Sequence, residues 1–206
     1  MKKAEIVIVV LCITAVILNF MLVPGGVLFT VLTFMLLSIL YFNLGFALFN
    51  GIRLRNIFKK ESYVGIKASR MIGCIGTGMA LSLLIVGLLF KLLSWPGSFV
   101  NLMAGLFFVA VVLIISIIKL VTSKSSFYKW IIIRCVVLFT IGFICINLRP
   151  YAIMDFKYRN HPAFLAAFKA READPGNPEL EEKLEAERMR IDQGEYAKDH
   201  PQSTEQ

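Results

Sequence analysis

Val86-Gly-Leu-Leu-Phe-Lys91-Leu-Leu-Ser-Trp95-Pro96-Gly97-Ser-Phe-Val-Asn-Leu-Met-Ala-Gly105 joins the end of one apolar helix to the start of another through a charged, aromatic, Pro-Gly corner. The apolar sequence on either side is long enough to cross a bilayer. The corner therefore belongs at a membrane surface, where Trp95 is the expected interface anchor and a lysine such as Lys91 extends toward headgroups.

Outward from this corner the same pattern repeats. Residues 6–23, 27–49, 71–93, 98–120 and 130–148 read as five spans, the first pair joined at Pro24-Gly25 and the third and fourth at Pro96-Gly97. The expectation is an all-α membrane protein, two helical hairpins with Pro-Gly corners plus one span, over residues 1–150. Residues 151–206 follow as a soluble helical tail with a disordered end. Composition agrees: 57% of residues are hydrophobic and 17% charged, with a mean hydropathy of +0.72. The opening Met-Lys-Lys also resembles a signal-peptide start, but no small-x-small cleavage site follows, and the run reads as an uncleaved span.

Charge is unevenly spread. Residues 1–148 hold 13 Lys/Arg against the carboxylates Glu5 and Glu61, whereas 149–206 hold nine Lys/Arg and twelve Asp/Glu. Basic residues gather at the amino terminus, in the 52–70 loop and around Lys119, Lys124 and Lys129, which places these on the cytoplasmic side and both Pro-Gly corners opposite. Five spans then put the tail on the extracytoplasmic side. The net charge of +8 is explained by topology, so nucleic acid is not an expected partner. The 53–70 loop, with Ile57, Phe58, Tyr63 and Val64 among its cations, suits a helix lying on anionic headgroups, and membrane lipid is its expected partner. Arg134, one turn inside the fifth span, is expected to snorkel back to the basic side.

Small residues Gly76 with Ala80, and Gly78 with Ser82, recur four apart in the third span and read as helix-packing positions. Aligned on their corners at an offset of 72 residues, the two hairpins give a parallel internal repeat in which Asn19 occupies the position of Lys91. Both residues are candidates for intramembrane pairing. Lys91 has two readings: a snorkelling lysine beside Trp95, or a cation that meets a partner's carboxylate.

No catalytic, metal or cofactor residues are expected. Cys12, Cys74, Cys135 and Cys145 fall in apolar runs without CxxC or nearby His and read as small core residues. Ser116-Ile-Ile-Lys119 matches Ser-x-x-Lys only as a short pattern, and His161 and His200 read as surface residues. With Asp, Glu and His absent from the spans as bounded above, the chain lacks the parts of an enzyme or proton relay.

In the tail, Pro162 to Arg171 carries Phe164 and Phe168 on a helical stripe, and Asn177-Pro178-Glu179 starts a second helix with Asn as N-cap. Phe164 and Phe168 are the tail's candidate contact residues, whether inside the chain or with a partner. Asp174-Pro-Gly-Asn-Pro-Glu-Leu180 resembles a piece of a tetratricopeptide repeat, but one such unit cannot bury its own face.

Gly78-Met-Ala-Leu-Ser-Leu-Leu-Ile-Val-Gly-Leu-Leu-Phe-Lys91-Leu-Leu-Ser-Trp95-Pro-Gly, followed by Leu102-Met-Ala-Gly-Leu and Ile114-Ile-Ser, resembles the membrane hairpin of the GldL family of Bacteroidetes gliding-motility proteins. It covers about one fifth of the chain, residues 78–116. The resemblance implies the bacterial inner membrane and matches Lys91 to that family's intramembrane lysine. The family's carboxylate after Gly-Leu has no counterpart, since Gly105-Leu106 is followed by Phe107 and Phe108. The expectation is a non-enzymatic inner-membrane subunit that presents its tail to a membrane or extracytoplasmic partner, or assembles with itself. A small-solute transporter or channel, and a gliding- or secretion-associated component, are the alternatives.

Overall fold

The computed structural model describes residues 2–123, 125–149 and 151–199. The expectations for Lys124 and for 200–206, including His200, lie outside the described residues. Within them the fold is all helical. Helices α1 (Lys2–Phe20), α2 (Gly26–Phe49), α3 (Ala68–Leu92), α4 (Ser98–Ser123) and α5 (Ser126–Asn147) are each long and apolar enough to cross a bilayer, as in a multi-pass membrane protein. Three further helices follow: α6 (Ala152–Lys157), α7 (Pro162–Ala173) and α8 (Pro178–Asp199).

Successive spans run antiparallel. Lys2, the 50–67 connection and Ser125 share one end of the bundle, called here the amino-terminal face, and both Pro-Gly corners lie at the other, the corner face. Helix α3 is the centre: 61% of its apolar stretch is buried, against 17–33% for the other spans. Leu81, Leu84, Ile85 and Leu89 are almost wholly enclosed by α2, α4 and α5.

Close crossings need small residues, because only hydrogen at Cα lets two backbones approach. A Cβ on Gly105 would stand 2.6 Å from the Leu84 Cα, and one on Gly87 2.7 Å from the Leu102 Cα. Gly78 faces Tyr41 and Gly45 across α2, where a Cβ would strike the Tyr41 carbonyl. Ser82 shares a hydrogen bond of 2.7 Å with Ser38 on the same crossing, and Ala80 is buried in the core. Gly76, one of the expected packing positions, is instead exposed, and a Cβ added there would meet nothing within 4 Å. A four-residue spacing identifies a helix face but cannot say which of two neighbouring faces meets the partner.

The two corners have the same backbone construction. In the first, the N–H groups of Leu22 and Val23 donate to the Asn19 and Leu18 carbonyls at 3.3 and 3.1 Å; in the second, Ser94 and Trp95 donate to Lys91 and Phe90 at 3.2 and 2.9 Å. These pairs form a Schellman motif, with Leu22 (φ 58°) and Ser94 (φ 53°) at the left-handed position that usually takes glycine. After each proline the chain turns through a second left-handed residue, Gly25 (φ 80°) or Gly97 (φ 77°). Phe29 and Asn101 then open the next helix by donating to those glycines. The offset of 72 residues extends into the spans. Ala15 meets Thr30, whose hydroxyl donates to the Ala15 carbonyl at 3.1 Å, where Gly87 meets Leu102.

Two boundaries differ from the sequence reading in ways that matter below. Helix α1 extends back to Lys2, which brings Glu5 into it; α5 starts at Ser126, capped by the Ser125 hydroxyl, which sets Arg134 deeper than expected. The 50–67 connection is also not the continuous interfacial helix expected for it. It forms two short 3-10 turns at Leu54–Asn56 and Lys60–Tyr63, flanked by left-handed Gly51 and Gly65, with Phe58 and Val64 exposed.

Candidate functional site

Two polar pairs, one toward each face, tie together elements far apart in the chain. The first starts from Glu5. Its carboxylate accepts from Arg134 Nε and Nη2, both at 2.6 Å, and from the Tyr41 hydroxyl at 2.6 Å. The arginine thus binds both oxygens in the planar fork that suits a carboxylate, the strongest ordinary form of ion pair. Arg134 Nη1 donates to the Trp130 carbonyl one turn back, and its guanidinium lies 5.7 Å from the Phe49 ring. The pair is enclosed, with the Glu5 side chain 10% exposed and that of Arg134 16%.

This corrects two expectations. Arg134 does not reach for the headgroups but is held inside by a carboxylate on α1. A carboxylate is also present within the bundle, because α1 contains Glu5. Glu5 carries no local signal: it follows two lysines near the amino terminus, and only the fold brings it to a position 129 residues on. A lone arginine in an apolar run was the available clue, since such a charge normally finds a partner.

The second pair lies at the corner face. Lys157, in the last turn of α6, is buried and donates to Asn19 Oδ1 at 2.7 Å. Beside it the Phe156 ring meets Phe20 edge-on at 5.7 Å between centroids. Asn19, expected to pair within the membrane, therefore pairs with the tail. Its repeat counterpart Lys91 occupies the same place in the other corner, half-exposed, with no ion pair among the described residues. Trp95 packs edge-on against Phe90 at 5.1 Å and lines a cleft of about 290 Å³ beneath the tail, with Phe164 and Phe168 on its other side.

Around Lys157 the tail folds into a small cap. Phe164 and Phe168 are buried, with Tyr158 at 4.2 Å from the first ring and Tyr151 at 5.5 Å from the second. Met154 and Ile191 complete the cluster. These phenylalanines thus serve packing inside the chain, and no apolar stripe of theirs is left for a partner. Asn177 caps α8, its side chain accepting from the Glu179 N–H at 3.1 Å. Helix α6 was not legible in advance: six residues are too few for periodicity, and its place depends on Asn19.

Several other polar residues bond back within their own helices, although Thr30 and Ser38 also reach a neighbouring helix and Asn50 Oδ1 is buried with no partner among the described residues. Asn43, Asn50 and Asn147 donate to the Ile39, Phe46 and Phe143 carbonyls, and Thr30, Thr33 and Thr77 bond back by one turn. Cys12, Cys74 and Cys135 are buried and all four cysteines are free. His161 sits half-buried where α7 begins. Among the described residues no three His, Cys, Asp or Glu side chains gather as a metal set. No family model matches the chain, and no curated protein or solved structure matches it either.

Proposed function

We propose that the chain is a non-catalytic subunit of the bacterial cytoplasmic membrane, its amino-terminal face cytoplasmic and its cap extracytoplasmic, which holds that cap in a fixed pose for a protein partner. The observation that carries this reading is the buried Lys157–Asn19 bond, which pins the tail to the end of α1. The cap's aromatic core is consumed internally, so what faces outward is α8, with Glu179 and Glu182 exposed on its first turn and outside the cleft beneath the tail. A partner matched to this face offers cations rather than an apolar groove. The basic residues of the 53–70 connection support the proposed orientation and meet anionic lipid on the opposite side.

Close packing of α3 against its neighbours favours this reading over a solute pathway. The hairpin's resemblance to the GldL family favours a gliding- or secretion-associated assembly of that phylum among the partners to be sought. Its motor activity is not carried over, because the carboxylate after Gly-Leu is replaced by Phe107.

The test is crosslinking and co-purification from native membranes, with full-length chain, a chain ending at Pro150 and Lys157→Met. A defined partner captured by the full chain, lost on truncation and depleted in Lys157→Met is the expected result. The same partners recovered with all three forms would place the contact in the membrane block and overturn the role given to the cap.

A further inference from the structure

A cleft of about 180 Å³ lies toward the amino-terminal face, where α3, α4 and α5 meet. Its lining includes Arg70 at the start of α3 and Lys119 near the end of α4, with Ser69 and Tyr128 adding hydroxyl groups. One to two turns farther into the bundle the lining becomes apolar, along Gly73, Gly76, Val112 and Ile115. Both glycines are exposed, a Cβ on either would meet nothing within 4 Å, and Ile115 is 53% exposed. This part of the cleft is a groove open to the bilayer.

Arg70 supplies the observation that points to a ligand. Its guanidinium lies over the Phe127 ring, 3.8 Å from the centroid, on the turn of α5 that Ser125 caps. The ring engages the face of the guanidinium and leaves its N–H edge for acceptors. Yet Nε is buried with no hydrogen-bond partner among the described residues, and Arg70 is in none of their ion pairs. A donor withdrawn from water without an acceptor is rare in folded proteins, and a planar fork already held in place loses little freedom when an acceptor arrives.

Nor does the fold offset the charge. Residues 1–148 contain two carboxylates. Glu5 is held by Arg134, and Glu61 lies in the second 3-10 turn, outside the lining. The carboxylates described in the tail belong to the corner face, about 30 Å away along α3.

We propose that this cleft binds one phosphate-headed lipid. Its phosphate oxygens accept from the Arg70 guanidinium, Nε included, and from the Lys119 ammonium, while an acyl chain lies in the groove along Gly73, Gly76 and Ile115. A free anion would leave the groove uncovered, and a zwitterionic lipid would bring a third cation to two that are unmatched. The proposal deepens the anionic-lipid contact given to the 53–70 connection and rests on that reading of this face. It assigns one lipid to a pocket that the exposed cations of the connection do not line.

Native mass spectrometry of the full chain in mild detergent tests this, with phosphatidylglycerol and phosphatidylcholine of identical chains, and with glycerol 3-phosphate and inorganic phosphate as soluble competitors. One phosphatidylglycerol retained in preference to phosphatidylcholine is expected, with affinity reduced about tenfold in Arg70→Gln and in Lys119→Gln, each losing a charge-assisted contact. Lys119 is exposed, so its substitution leaves the fold intact. Gly76→Leu, which fills the groove from an open position, should weaken retention as well. Arg53→Gln with Arg55→Gln should remove later, looser phosphatidylglycerol adducts and leave the first; later adducts unchanged in that variant would refute the connection's role while the first still reports on the cleft. Equal retention of both lipids, retention unchanged in Arg70→Gln and Lys119→Gln, or loss of the first adduct only in the Arg53/Arg55 variant overturns the site. Displacement by glycerol 3-phosphate or inorganic phosphate as strong as by the lipid assigns the cleft to a free anion and overturns the acyl half of the proposal.

Discussion

Replacing Arg134 with Met should strongly destabilise the membrane block. The substitution keeps the length and apolar stem of the side chain but removes both arginine bonds to the Glu5 oxygens. Removing one partner of a buried ion pair costs about 3–5 kcal/mol, because the other charge stays withdrawn from water. For a chain of this length that corresponds to a fall of order 10 °C in the unfolding midpoint. Taking out the second charge as well should restore much of the loss, since a buried pair replaced by apolar residues is often close to neutral. A double-mutant cycle of Arg134→Met with Glu5→Gln, followed by thermal unfolding in mild detergent, should give a coupling of about 2 kcal/mol or more. High salt should leave it nearly unchanged, since buried pairs are poorly screened. Strictly additive effects of the two substitutions would refute the reasoning, and would mean that Arg134 reaches headgroups and Glu5 reaches water.

Gly105→Val should break the second hairpin, because the Leu84 backbone cannot move away from a new Cβ, whereas Gly76→Ala should be neutral or slightly stabilising; expression and detergent-resistant monodispersity report both. Ser94→Gly should raise the unfolding free energy by about 0.5–1 kcal/mol by relieving a left-handed φ of 53°, and Ser94→Val should lower it, as read by the same thermal assay. Lys157→Met should loosen the cap without unfolding the spans, which limited proteolysis and hydrogen exchange would register as earlier cleavage and faster exchange in α7 and α8. Protection equal to that of the unsubstituted chain would show that Phe20 and Phe156 hold the cap unaided.

The sequence alone determined the membrane architecture, because that rests on quantities local to the chain. A bilayer requires long apolar helices with their backbone groups satisfied internally, and each of the five runs meets this by its own composition. The Pro-Gly corners, the helix start at Asn177 and the offset of 72 residues between the hairpins are local in the same sense. Each depends on residues a few places apart and on the φ those residues accept.

What escaped the sequence was every contact between distant elements. Whether Gly76 or Gly78 faces α2 depends on how α3 is rotated, and that rotation is set by Leu84, Ile85 and Gly87 together with Gly105 of α4. Glu5 looks like part of a basic leader until α1 stands beside α5, and Asn19 looks like a match for Lys91 until α6 brings Lys157 to it. In an apolar medium a lone charge or amide must find a partner, so the sequence can announce that one exists. Which residue it is depends on the packing of the whole bundle, and only the tertiary structure decides that.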